Sequence, residues 1–353
     1  MKKKTINAII SKKVKEWLKS IDDEEVITYI SDKIIVTGGC ITSMLLNEDV
    51  NDFDIYFKDK KSVKLVSEYY CKKFNENNKE RLNKLGKDGS AWVLDGEDLN
   101  DWKNGVIKLT DFAIGYKDDI RYEDTLEWSE ENNSAYKISG MLNNTTPERI
   151  KIIINSDGIA EDSDYKADES EYSIDEYLDI LGDNGNINTT DNKEKYRPIF
   201  LSTNAITLSD KIQLVIRFYG EPSEIHENYD FVHVLNYWDS KYGQVELNPV
   251  ALECILNKEL RYVGSKYPIC SLIRTRKFIK RGWQINAGQY VKMAFQISNL
   301  DLTDIYVLED QLVGVDSIYF LNFIRNLQKS NSNNPDFKLD QDYLTTVIDK
   351  IFN

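Results

Sequence analysis

The chain has 353 residues, 41% hydrophobic and 29% charged, with a net charge of −14. That balance excludes a wholly disordered chain, and six prolines with seventeen glycines exclude a collagen-like or proline-rich one. An acidic protein is also poorly suited to indiscriminate polyanion binding.

The opening MKKKTINAIISKKVKEW interrupts each apolar stretch with lysine, so it predicts no signal h-region. No run of eighteen apolar residues occurs, so no membrane span is predicted. Instead Ile10, Val14, Trp17, Leu18 and Ile21 share a helical face. After a second short helix, KIIVT (33–37) reads as a buried strand, stopped by Gly38-Gly39. CITSMLL suits a short helix, DFDIYF (52–57) a strand. Val63, Val66, Tyr70 and Phe74 then repeat at helical spacing.

VIKLTDFAIG (106–115) and RIKIIIN (149–155) read as strands separated by Asn-rich polar sequence. Over 157–183, eleven Asp and Glu face a single Lys166, and GDNGNINTTDN follows. Such a charge block resists burial, so 156–195 reads as a surface excursion. A calcium loop is the alternative, but EF-hand spacing is absent. From 197 to 220, two β-rich runs flank Ser209-Asp210, a predicted turn. Pro222 and Pro249 stand where helices would begin. The remainder reads as mostly helical, with a stripe of Ile318, Leu321, Ile324 and Leu327 and a linker at 330–336. Tyr237 and Trp238 read as core.

The four cysteines (Cys40, Cys71, Cys254 and Cys270) form no CxxC, and His226 and His233 are the only histidines. Neither a zinc site nor a disulfide scaffold is expected, which favours a reducing, cytoplasmic setting. The charge is uneven. Residues 261–300 contain no acid and eight Lys or Arg, leaving about −22 for the rest by subtraction. In ICSLIRTRKFIKRGWQ, Arg274, Arg276, Lys277 and Arg281 interleave with Phe278 and Trp283. Arg suits phosphate and aromatic rings suit base stacking. An amphipathic element with snorkelling side chains is the other reading.

The most informative segment is Gly38-Gly39, followed after twelve residues by Asp52-Phe53-Asp54. Residues two apart on a strand share a face, so Asp52 and Asp54 present adjacent carboxylates, with Phe53 and Ile55 opposite. A cation between them relieves their repulsion, and Mg²⁺ held by carboxylates and substrate phosphates meets that need. The glycines open a helix whose N-terminal N–H groups suit an anion, with Thr42 and Ser43 in its first turn.

VTGGCITSMLLNEDVNDFDIYF resembles the signature of the DNA polymerase β-like nucleotidyltransferases: Gly-Gly or Gly-Ser, a short helix, then Asp-x-Asp on the next strand. The resemblance covers some 25 residues, about 75 with flanking helices. It implies an α/β (α+β) fold with a mixed-sheet nucleotidyltransferase-type core over 1–245. Strands inserted at about 90–195 and a mainly helical C-terminal domain, 246–353, complete the expectation. It further implies transfer of a nucleoside monophosphate from an NTP to a hydroxyl, an RNA 3′ end or tRNA end being the first choice. Pyrophosphate would be released. Asp52 and Asp54 would hold two Mg²⁺ ions, Gly38, Gly39, Thr42 and Ser43 the phosphates, and Arg274, Arg276, Lys277 and Arg281 the acceptor.

The stretch from Tyr196 to Trp238 is similar to uncharacterised phage and large-virus nucleotidyltransferase-like proteins, and Asn- and Lys-rich composition fits an AT-rich viral genome. The setting would then be host cytoplasm. There are departures. The arginine of many tRNA-maturing members is missing after Gly-Gly, which speaks against CCA addition. On KIQLVI the inward position reads as Gln213 rather than the family's third acid. Asp230, at the head of an expected strand, Asp210 in the turn, or no acid at all remain open for that role. His226 and His233, which bracket Asp230, read as base, ligand or packed side chains. Two other functions stay open: a catalytically silent binding or virion-associated module, and an enzyme that adenylylates protein.

Overall fold

The computed structural model describes residues 1–84, 91–97, 148–154, 195–201 and 204–302, with 307 and 311. The expected strand at 106–115, the acidic stretch 157–183, the stripe at 318–327 and the linker at 330–336 lie outside the described residues.

The chain opens with α1 (Lys3–Leu18), whose Ile6, Ile10, Val14 and Trp17 recur at helical spacing and are at most 3% exposed. In α2 (Glu24–Ile30) the Asp23 carboxylate caps the start, accepting from the N–H of Glu25 and Val26. Then come β1 (Ile34–Thr37), α3 (Gly39–Leu46), β2 (Phe53–Phe57) and α4 (Lys60–Lys84). The α4 residues Val63, Val66, Tyr70 and Phe74 are buried, as their spacing predicts. Trp17 ties three elements together. Its indole N–H donates to Tyr70 Oη at 2.8 Å, and its ring lies 6.5 Å from that of Phe57.

A two-stranded antiparallel sheet pairs β3 (Ala91–Asp95) with β4 (Ile150–Ile154). Beyond it lie β5 (Pro198–Leu201), β6 (Ala205–Leu208) and β7 (Ile212–Tyr219). The β6–β7 turn puts Asp210 and Lys211 at φ of 61° and 62°, the left-handed geometry that suits a tight hairpin. Next are the short helix α5 (Pro222–His226), β8 (Tyr237–Asp239) and β9 (Gln244–Glu246). Among the described residues, seven strands make one mixed sheet in the order β5-β6-β7-β2-β1-β8-β9, with β2–β7 its parallel pair and the other pairs antiparallel.

The described chain divides into two units. One holds the sheet and runs to His226, with Val234–Asn248. The other holds Glu227–His233 and continues from Pro249. The second contains α6 (Pro249–Asn257), α7 (Pro268–Lys280) and α8 (Ala287–Ile297). Pro222 and Pro249 start their helices, where the missing N–H costs nothing.

Candidate active site

The sheet register sorts polar from apolar residues row by row. Val36 pairs with Ile55 and Trp238, Ile55 with Leu214, Leu214 with Ile206, and Trp238 with Val245. All six are buried, at most 4% exposed. The adjacent row faces the other way. Gln213, Asp54, Thr37, Tyr237 and Glu246 follow one another across β7, β2, β1, β8 and β9. Cross-strand partners share a face, so five polar side chains line one side of the sheet.

Asp54 therefore lies between Gln213 and Thr37, on the face away from Phe53 and Ile55. Asp52 precedes β2 and is exposed, while Asp54 is partly exposed. Both carboxylates act on Cys40: burial first, then Asp54 and Asp52, raise its thiol well above the ordinary range. That thiol is therefore inert rather than nucleophilic.

Gly38 adopts φ 92° and ψ −151°, a backbone open only to glycine, and turns β1 into α3. Gly39 is exposed, and a Cβ built on it meets no atom within 4 Å. An anion has room there, against a helix start that Gly38 leaves without a side-chain cap. Thr42 and Ser43 are expected beside the phosphates. They are 5% and 6% exposed, and the exposed residue of this turn is Gly39.

Thr37 joins the site without a local sequence signal, and His226, read as base, ligand or packed side chain, joins through it. Thr37 is fully buried, and its hydroxyl oxygen lies 2.9 Å from both the Asn236 carbonyl and His226 Nε2. A carbonyl only accepts, so Thr37 donates to Asn236 and the His226 Nε2–H donates to Thr37. Burial pushes the His226 pKa down to about 4, so the ring is neutral at pH 7. Its ring meets Tyr237 edge-on, centroids 5.9 Å apart. Trp238 is core, as its type suggests, but Tyr237 is on the opposite, polar face and is partly exposed.

The second unit holds the remaining expected residues. No sheet strand begins at Asp230. A bend occurs there, and Phe231 makes a single antiparallel bridge to Tyr262. The strands beside β2 are β1 and β7, so Gln213 occupies the register position next to Asp54. Asp230 is 5% exposed and accepts from Arg274 Nη1 at 2.5 Å. Asp210 stands in the β6–β7 turn. His233 packs against Phe231, Phe278 and Trp283, with ring centroids 6.0, 4.7 and 4.3 Å away. Burial, then Arg281 and Arg274, push its pKa down to about 3. Trp283 is itself buried, so these rings form a core rather than a stacking platform. Of the basic residues on and just after α7, Lys277 is exposed, and Arg276 and Arg281 are partly so.

Among the described residues, no group of three or more His, Cys, Asp and Glu gathers as a metal site. The donor chemistry at this end of the central strands nonetheless suits a hard divalent cation. Two carboxylates and a neutral amide would offer such an ion oxygen ligands, and phosphates would supply the rest.

Fold and site define a mixed α/β protein with two neighbouring aspartates at the start of its central strand and a glycine turn at the end of the strand beside it. The chain belongs to the Gabija anti-defense 2 family, which it matches over residues 8–258. It is 22% identical over 152 residues to a protein named Gabija anti-defense 2 from Bacillus phage SPbetaL7. That match covers 40% of this chain and 38% of the relative, so it spans about two-fifths of the relative's length. No solved structure matches significantly. A phage protein among its relatives supports the phage origin expected from composition. Among the described residues, no helix is long and apolar enough to cross a membrane.

Proposed function

We propose that this protein is a phage anti-defense factor acting as a metal-dependent nucleotidyltransferase. The observation that carries the reading is the placement of Asp54 beside Gln213 and Thr37 on the polar sheet face, next to the open Gly38-Gly39 turn. Asp52 and Asp54 would hold magnesium, and Gln213 adds a neutral oxygen donor. Magnesium held there would neutralise charge on the triphosphate and lower the pKa of the acceptor hydroxyl. Gly39 lets phosphate approach the α3 N–H groups closely. Thr37, the last β1 residue, is fixed by Asn236 and His226 and so anchors the start of the glycine turn.

The acceptor is a hydroxyl, on an RNA 3′ end or on protein. The family's name favours protein, because modification of a defence component would disable it. A silent module is the rival reading, favoured by Gln213 in the place of an acid. Incubation with each α-labelled NTP, Mg²⁺ and extract of cells carrying Gabija separates the three. Labelled RNA, labelled protein and no label are their respective marks.

A further inference from the structure

We propose that Tyr237 and His226 form the nucleoside end of this site, a wall of two rings set edge to face that takes the base of the NTP. The assignment rests on the nucleotidyltransferase reading above and adds where the base lies.

The sheet register provides the first support. Asp54, Thr37 and Tyr237 are consecutive partners across β2, β1 and β8. Neighbouring strands lie about 4.8 Å apart, so Asp54 and Tyr237 are separated by about 10 Å along one face. That is comparable with the reach of a nucleoside triphosphate from base to outer phosphates. The Gly38-Gly39 turn leaves the end of β1, the strand between them, so the phosphate turn adjoins the middle of the row that runs from Asp54 to Tyr237.

Chemistry provides the second. In the adjacent row the positions across these strands are apolar and buried, whereas Tyr237 and His226 are partly exposed. The Nε2–H of His226 is committed to Thr37, so that side of the ring is fixed. Its edge-to-face contact with Tyr237 fixes the phenol plane as well. Thr37 is buried, so a ligand meets the rings and not the hydroxyl. Burial keeps the imidazole neutral, so it adds no charge. A preformed aromatic wall recognises bases by stacking, which tolerates every base and favours the larger purines.

The test uses full-length protein and three probes: ATP with Mg²⁺, inorganic tripolyphosphate with Mg²⁺, and adenosine alone. Calorimetry reads the first two, saturation-transfer NMR the third. Tyr237→Leu keeps apolar bulk without a ring. It should weaken ATP about tenfold, leave tripolyphosphate within about twofold, and abolish the adenosine signal. Asp54→Asn should weaken both phosphate ligands and retain adenosine. His226→Gln gives a second test should Tyr237→Leu fail to fold, and should also weaken ATP more than tripolyphosphate. Folded variants that bind ATP and adenosine as the wild type does would overturn the assignment and leave the phosphate site standing. Tyr237-dependent adenosine binding without phosphate binding would support the wall and overturn the reading it rests on. Binding of none of the three probes would overturn both.

Discussion

Asp54 and Asp230 are both partly or largely buried carboxylates, one in each unit, and their surroundings set them opposite tasks. In the sheet unit, Asp54 lies between an amide and a hydroxyl on a polar row, with exposed Asp52 two residues before it. In the helical unit, Asp230 is neutralised by Arg274 at 2.5 Å. The two histidines repeat the contrast: His226 joins the polar row through Thr37, while His233 sits in an aromatic core. The difference teaches that residue type and spacing identify a carboxylate worth noticing, and its partners decide whether it can serve a cation.

The largest expected effect breaks the comparison at Asp54. Asp54→Asn should reduce nucleotidyl transfer by about 10³-fold, roughly 4 kcal/mol of barrier, with little change in thermal midpoint. Label transfer and a melting curve on the same sample check both halves.

Acid sharpens the histidine contrast. An unperturbed histidine titrates near 6.5, whereas folded His226 and His233 titrate near 4 and 3. Below 6.5 the unfolded chain binds more protons than the folded one, so stability should fall as pH drops. The loss should approach roughly 1.4 kcal/mol per pH unit for each histidine, until each folded pKa is reached. Urea unfolding between pH 7 and 4 should show that slope, and His226→Gln and His233→Gln should each flatten it. A flat profile in the wild type would reject both assignments.

At Asp230 the expected effect is on folding. Asp230→Asn removes the carboxylate that pairs with Arg274. Because the Arg274 side chain is 32% exposed, water offsets part of the loss, and about 2 kcal/mol is expected. Denaturant titration should report it, with label transfer per folded molecule unchanged. A catalytic Asp230 would give the reverse.

Gly39→Ala separates function from fold in the sheet unit. Open space meets the new Cβ, and alanine favours a helix over glycine by up to about 1 kcal/mol. The thermal midpoint should therefore hold or rise, while affinity for Mg-NTP should fall about tenfold, because the methyl occupies the phosphate's approach. Unchanged affinity would remove the glycine turn from the site.

The sequence made the elements around the site legible because apolar spacing determines them locally. Ile10, Val14 and Trp17 mark α1, and Val63, Val66, Tyr70 and Phe74 mark α4. Alternation in DFDIYF likewise put Phe53 and Ile55 on the face away from Asp54, and KIQLVI showed Gln213 in place of an acid. What stayed hidden depends on register and on distant pairing. Thr37 and His226 are 189 residues apart, and Asp230 and Arg274 are 44 apart. Tyr237 and Trp238 look alike as aromatic strand residues, and only the pairing of β8 with β1 sends one to the polar face and the other to the core. Asp230 resembled a strand start because Phe231 and Val232 follow it, yet that apolar pair makes one bridge and enters a 3₁₀ turn. Phe278 and Trp283 resembled a stacking platform beside basic residues, but their rings close around His233.

The most direct measurement of the central claim pairs chemistry with biology in one variant. The Asp52→Asn, Asp54→Asn double variant should be produced alongside the wild type in cells carrying Gabija. Phage plaquing and label transfer from α-labelled NTPs in the matching extracts should both be scored. The account predicts that the wild type labels a macromolecule and restores plaquing, and that the folded double variant does neither. A double variant that restores plaquing fully, or a wild type that restores plaquing without transferring label from any NTP, would contradict it.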